Sequence, residues 1–270
     1  MYKLPVFLFF CVILISILGC SKDAKVKPLR VGMELQYPPF EMADKDGNPT
    51  GVSVDIANEF GKYLGRPVEI QSISWTGLIP SIRTGKIDVI ISSMSPTPER
   101  SKSVDFSIPY VTSGLGLLVK VNSNIDKFSD IDKEMIVAVK TGTVGDVFVH
   151  KQLAQNTIRQ FDSVSACVLE IVQERADVFI YDPLTLHRNH LKHPNTTKLI
   201  LDMVPGTANY SAMAIKKGNN ELLDSANKFI RETAKTEFFN KLGDKYLADI
   251  KELYKAKNIP FFFDIPSEKR

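Results

Sequence analysis

Apolar positions along the chain switch repeatedly between two periods. Leu29-Arg30-Val31-Gly32-Met33 is a short strand candidate, and Val68 to Ile73 alternates apolar and polar residues as a strand does. Between them, Ser53 can cap a helix from Val54 to about Leu64, with Ile56, Ala57, Phe60 and Leu64 on one face and Gly65 as its stop. Thr76 can open a second helix with Leu78, Ile79 and Ile82 inward, ended by Gly85, and Ile87 to Ile91 reads as a buried strand. The order βαβαβ argues a mainly parallel sheet with helices on both faces. A second such run follows: strand Met135–Val139, helix Gly145 to about Leu153, strand Ile158–Phe161, a helix capped by Ser163, strand Ala176–Tyr181 and strand Leu199–Met203.

Two α/β lobes are therefore expected. Leu115 to Val121 lies between the runs and Ala212 to Ile215 follows the second, so the two segments together predict a two-strand hinge. Residues 221 to about 255 read as helices returning to the first lobe. The tail after Pro260 opens with three phenylalanines, which are expected to pack against a lobe rather than to bind a ligand.

The N-terminus breaks the pattern. The apolar run Val6 to Leu18 follows Lys3 and is shorter than the roughly 20 residues a membrane span needs, so it reads as a secretory signal. Ile17-Leu18-Gly19-Cys20 resembles the lipobox of bacterial lipoproteins, which implies a lipid on Cys20 and a chain tethered to the outer face of a membrane. Residues 21–28 are polar and aperiodic, as a tether would be. The expected layout is a signal at 1–19, lipidated Cys20 and tether at 20–28, a first lobe from 29–114 plus 212–270, and a second lobe over 115–211 with hinge segments at both ends.

Composition narrows the function by exclusion. Hydrophobic residues make up 44% and charged residues 24%, which excludes a disordered or coiled-coil chain. The balance of 34 basic against 31 acidic residues is too even for a nucleic-acid binder. Of the three cysteines, Cys11 falls in the signal and Cys20 in the lipobox, so Cys167 stands alone in an apolar stretch and reads as a small core residue. There is no Walker A loop, no G-x-S-x-G and no C-x-x-C, and no cofactor is expected. His187, His190 and His193 have helical spacing but no acidic or cysteine neighbour to complete a zinc site, so they read as a solvated helix end.

In open α/β sheets, ligands bind beyond the carboxyl ends of strands. The first lobe offers Tyr37 in a proline-stiffened loop, Trp75, and Ser92-Ser93-Met94-Ser95 leading to Arg100. The second offers Lys140-Thr141-Gly142-Thr143-Val144 at a helix start, and Asp182 after a strand. Together these fit a zwitterion. Arg100 can hold a carboxylate in a bidentate grip, helped by Ser95 and the N–H groups near Thr143 and Val144. Asp182, helped by the Ser93 backbone, can take an ammonium, and Tyr37 and Trp75 can sandwich the remainder.

The same residues carry a resemblance. Tyr37-Pro38-Pro39-Phe40, Gly51-Val52-Ser53-Val54-Asp55-Ile56-Ala57, Trp75-Thr76-Gly77-Leu78-Ile79-Pro80, Gly85-Lys86-Ile87-Asp88-Val89-Ile90-Ile91, Thr97-Pro98-Glu99-Arg100 and Val139-Lys140-Thr141-Gly142-Thr143 occur in order. From about Leu29 to Leu247 the chain resembles the amino-acid-binding group of bacterial extracellular solute-binding proteins, the receptors of ABC importers. The resemblance implies a type II periplasmic-binding-protein clamshell, a monomer, an amino-acid ligand and a transmembrane permease as partner. It places the carboxylate-binding Arg on Arg100, the ammonium-binding Asp on Asp182, the aromatics on Tyr37 and Trp75, and hydroxyl and backbone contacts on Ser93, Ser95 and Thr143. Asp55 and Asp88 belong to the motifs but read as structural. Glu34 falls where relatives that bind basic amino acids carry an acid, so lysine, arginine or ornithine is slightly favoured over a neutral polar ligand such as glutamine, with Lys140 supporting the loop. Two alternatives share the scaffold: a cyclohexadienyl (prephenate or arogenate) dehydratase and an extracellular amino-acid sensor.

Overall fold

A computed structural model describes residues 26–202, 204, 209–266 and 269. The expected signal, the Cys20 lipidation site and most of the tether lie outside the described residues, as does Met203. None of the described helices is long and apolar enough to cross a membrane.

The chain builds β1 (Leu29–Met33), β2 (Gln36–Tyr37), β3 (Glu41–Ala43), β4 (Pro49–Thr50), α1 (Val52–Tyr63), β5 (Val68–Ser72), α2 (Leu78–Arg83), β6 (Val89–Ile90), α3 (Pro98–Ser101) and β7 (Val104–Ser113). The second lobe follows with β8 (Gly116–Lys120), β9 (Ile136–Lys140), α4 (Val144–Gln152), β10 (Thr157–Phe161), α5 (Val164–Val172), β11 (Val178–Tyr181), α6 (Pro183–Lys192) and β12 (Thr197–Ile200). The chain then returns through β13 (Asn209–Lys216), α7 (Asn220–Thr233), α8 (Phe238–Tyr246) and α9 (Ala248–Ala256).

Two five-stranded sheets result, ordered β5-β1-β6-β13-β7 and β10-β9-β11-β8-β12, with a small β2-β3-β4 sheet beside the first. In each, the strands joined by crossover helices pair in parallel, and antiparallel neighbours close one side. Both faces of the second sheet are covered, which is why its interior strands β8, β9 and β11 read as nearly unbroken apolar runs. Val178 and Ile180 of β11 join one core cluster with Val137, Val139 and Val149, while Phe179 points the other way into a cluster with Leu118, Cys167 and Ile171. Burying each such side chain stabilises the lobe by about 1.5–3 kcal/mol. Cys167 is fully buried there, and loss of solvation pushes its thiol up to about 12.

Two local expectations shift. Helix α1 starts at Val52, not Val54: Gly51 is the residue before it, at φ 123°, and a Cβ there would meet the Phe40 carbonyl oxygen at 2.4 Å. Ser53 therefore sits inside the first turn, fully buried, and its hydroxyl bonds Glu41 instead of capping the helix. The two segments expected as hinge crossings are interior strands of separate sheets, β8 in the second and β13 in the first. The chain leaves the first sheet through Gly114 and Leu115 and returns between β12 and β13. His187, His190 and His193 lie on α6 and at its C-terminal cap, and His190 Nδ1 meets Thr197 Oγ1 at 3.0 Å.

Candidate functional site between the lobes

One cavity lies where the parallel strands of both sheets end. Glu34 follows β1, Trp75 follows β5, Ser93 and Ser95 follow β6, Thr143 and Val144 follow β9, and Asp182 follows β11. The structure brings all seven together on this cavity, along with Tyr37 and Arg100. Asp55 and Asp88 are elsewhere. Asp88 holds Arg30 at 2.6 Å and Arg66 at 3.2 Å, and Asp55 holds Lys245 and the Tyr246 hydroxyl.

At one end of the cavity sits Arg100. Thr97 caps the short helix α3 by accepting from the Arg100 N–H, which fixes the backbone that carries the guanidinium. One guanidinium nitrogen donates to the Ser95 carbonyl at 2.6 Å and the other to the Gly142 carbonyl of the second lobe at 2.9 Å. The group lies 5.1 Å from the centre of the Trp75 ring. Trp75 thus presents its face to a cation, and its indole N–H donates to the same Gly142 oxygen at 3.1 Å. Gly142 takes φ +71°, the left-handed conformation that favours glycine. Among the described residues no acid offsets Arg100: burial alone pulls its guanidinium down to about 10.

Thr143 Oγ1 donates to the Lys140 carbonyl at 2.8 Å and accepts from the Asp146 N–H at 3.3 Å, so this hydroxyl caps α4. What α4 offers a ligand is the backbone of its first turn, at Val144 and Gly145, where N–H groups lack helical acceptors.

Asp182 lies in the second lobe. It caps α6, its Oδ1 accepting from the Thr185 N–H at 2.9 Å. Its Oδ2 is buried and has no hydrogen-bond partner among the described residues. Burial pushes this carboxyl above its ordinary range, against the bond from the Thr185 N–H. The Tyr37 ring stacks on Phe40 at 5.3 Å and meets Tyr181 of the other lobe edge-on at 6.4 Å.

Glu34 is placed differently from its expected role. Its carboxylate takes the Lys140 ammonium at 2.5 Å across the two lobes, with the side chains only 9% and 4% exposed. Lys140 is therefore not a mere loop support. It is the counter-ion of the acid expected to face a cationic ligand, and it also lies 6.0 Å from the Trp75 ring centre.

Four further residues complete the wall, and in the sequence they stand out only as neighbours of the candidates or not at all. Glu41 is fully buried and receives the hydroxyls of Ser53 at 2.6 Å, Ser93 at 3.1 Å and Ser92 at 3.2 Å. Despite these bonds, burial pushes its carboxyl up to about 8. Ser92 also accepts from the Glu34 N–H at 2.9 Å, and Ser93 turns toward Glu41 from a backbone at φ +49°. Tyr181 closes the wall opposite Tyr37. The fourth, Phe262, comes from the tail and lines the cavity as well as packing in the core. Glu41 adjoins the Tyr37–Phe40 motif, which is the one signal that could have found it. Nothing local marks Phe262.

The chain resembles known proteins over most of its length. The L-cystine-binding protein TcyJ of Escherichia coli K12 is 31% identical over 224 residues, covering 82% of this chain and 84% of that protein. A crystal structure of the ancestral amino acid-binding protein AncCDT-1, a precursor of cyclohexadienyl dehydratase, matches with a TM-score of 0.72 and 34% identity over 81% of this chain and 94% of that one. An ancestral arginine-binding protein bound to arginine matches with a TM-score of 0.75 and 32% identity over 83% and 99%. The model of one family covers residues 29–249, both sheets and every strand-end loop of the cavity, and the chain accordingly belongs to the bacterial extracellular solute-binding proteins, family 3.

Proposed function

We propose that the protein is an extracytoplasmic receptor that binds one free amino acid between its lobes and delivers it to an ABC permease. The observation that carries this reading is a pair of opposite charges without counter-ions among the described residues. Arg100 comes from the first lobe and Asp182 from the second, and both face one cavity. A buried charge is costly unless paired. The α-carboxylate of an amino acid would complete Arg100, with the first turn of α4 adding N–H donors. Its ammonium would complete Asp182 Oδ2. Because the two groups sit on different lobes, a ligand touching both adds to the bonds that already join the lobes and stabilises the closed arrangement further.

The side-chain end supports an uncharged polar ligand. The Glu34 carboxylate that would attract a lysine or arginine side chain already holds Lys140. A cationic ligand would have to displace Lys140 from a dry ion pair. An acidic ligand would face Glu34 and the Asp182 carboxylate. The relatives named for cystine and for arginine span both choices, and the ion pair is the observation that favours a neutral side chain. A lipid on Cys20 would keep this monomeric receptor beside its permease, and mass spectrometry of the membrane fraction tests that modification.

Titration calorimetry of the purified chain against the twenty amino acids, ornithine and cystine tests the receptor reading. The expected outcome is one tight neutral ligand. Heat from none of them would overturn the assignment.

One observation favours a second reading. A dehydratase acting on prephenate or arogenate needs an acid to protonate the leaving hydroxyl as the ring aromatises with loss of carbon dioxide. Glu41, raised to about 8 on the cavity wall, could hold that proton at neutral pH. Incubation with either compound distinguishes the two readings, because turnover would displace the receptor assignment.

A further inference from the structure

The family model ends at residue 249, yet the chain beyond it returns to the cavity. Helix α9 ends at Ala256, Asn258 turns the backbone at φ +51°, and the Ile259 N–H bonds back to the Tyr254 carbonyl. The next residues clip onto the first lobe. The Thr112 N–H near the end of β7 donates to the Phe262 carbonyl at 2.7 Å, two residues before the chain leaves the first sheet at Gly114. This bond fixes the Phe262 backbone beside the crossing. The ring is 1% exposed and stands edge-on to Phe40 at 5.2 Å, and Phe40 in turn stacks on Tyr37. On its other side it lies 5.1 Å from the Tyr254 ring.

Phe262 lines two cavities at once. One is the cavity that holds Arg100 and Asp182, and the other is a neighbouring void bounded by Thr112, Tyr210, Tyr254, Ile259 and Pro260. Phe262, with Ser113 and Gly114, is what the two spaces share. Ser113 Oγ, on the same partition, is buried with no hydrogen-bond partner among the described residues. Phe261 and Phe263 flank it in sequence but line neither space.

We infer that Phe262 is a specificity-determining residue: the tail supplies the wall of the amino-acid cavity beside the Gly114 crossing, and this ring limits the length of side chain the receptor admits. The inference rests on the receptor reading above. A smaller residue at 262 would join the two spaces. The preferred ligand would then lose apolar contact, and a longer side chain would gain room. A residue that merely packed in the core would affect all ligands alike.

The test uses the full chain and four ligands of graded length: serine, asparagine, glutamine and arginine. Calorimetry is run on the wild type, Phe262→Ala, Phe262→Leu and Phe261→Ala. Phe262→Ala should weaken the best wild-type ligand about tenfold or more, as loss of apolar pocket contact does, and move the preference toward a longer side chain. Phe262→Leu should move it the same way by less, and it carries the test if the alanine variant does not fold. Phe261→Ala, whose ring packs on Gly243 and Tyr254 and stands edge-on to Phe262 at 5.6 Å without lining the cavity, should leave the order of ligands unchanged. Uniform weakening of all four by the Phe262 variants, or the same reordering from Phe261→Ala, would overturn the inference. If the wild type binds no amino acid at all, the receptor reading fails first, and that result is distinguishable from a wild type that binds while its 262 variants keep the order.

Discussion

The cavity holds two charge systems that follow opposite rules. At the head-group end, Arg100 and Asp182 are set on different lobes with no counter-ion among the described residues, and burial pulls the guanidinium down and pushes the carboxyl up. At the side-chain end, Glu34 and Lys140 also come from different lobes but neutralise each other at 2.5 Å, and Glu41 is surrounded by three serine hydroxyls. Both ends bridge the lobes, yet only the first needs an outside partner. Unsatisfied charge marks where the constant part of an amino acid would sit. Satisfied charge marks a surface tuned to the part that varies.

The contrast breaks most visibly if Glu41 is ionised at neutral pH. Its folded carboxyl is raised to about 8 from 4.5, so the native chain holds a proton that the unfolded chain has released over that interval. Stability from this group is complete below about pH 4.5 and falls as pH rises toward 8, by several kcal/mol in all. Glu41→Gln should flatten the slope in chemical denaturation measured across that interval. An unchanged slope would mean a third charge at the end described here as neutral.

Next in size is the bridging pair. Lys140→Met leaves Glu34 buried and alone, which costs the closed form about 3–5 kcal/mol. Affinity for a neutral ligand should fall steeply, while lysine or arginine should bind better than to the wild type by replacing the lost ammonium. If the variant loses both kinds of ligand equally, the pair does not set the charge preference. Arg100→Ala should remove about 2–5 kcal/mol of binding, by leaving a ligand carboxylate unpaired in a dry cleft. Unaltered affinity would take Arg100 out of the site. Asp182→Asn keeps an oxygen for the Thr185 N–H, so α6 stays capped and folding holds. It removes the charge facing the ammonium, and about 1.5–3 kcal/mol of binding should go with it.

Arg100 and Asp182 are legible in the amino-acid sequence because strand ends converge: Asp182 directly follows a predicted strand, and Arg100 closes the Ser92–Arg100 segment that follows another. The paired end is not. Lys140 and Glu34 are 106 positions apart, and no local pattern announces that two strand ends on different lobes will meet. Ser53 has the sequence mark of a cap, a hydroxyl just before an apolar run. The fold gives that place to Gly51, because the Phe40 backbone crowds position 51 and leaves no room for a side chain there. The hinge segments mislead for a similar reason. β8 and β13 carry the extended, apolar pattern of a crossing, and the same pattern suits an interior strand covered on both faces.

The smallest effect tests how the two ends are coupled. Gly142 of the second lobe accepts two hydrogen bonds from the first, one from Trp75 Nε1 and one from Arg100. Trp75→Phe removes the indole donor but keeps a ring beneath the guanidinium, so Arg100 stays desolvated and the carboxylate site persists. The Gly142 carbonyl keeps its bond from Arg100 and is not orphaned. The loss should be that of one neutral hydrogen bond, about 0.5–1.5 kcal/mol. Because the bond joins the lobes, the loss should be expressed as a faster ligand off-rate in stopped-flow displacement, with the on-rate nearly constant. A loss as large as that of Arg100→Ala would mean that Trp75 holds the ligand directly, and the head-group end would then rest on its ring as much as on its charges.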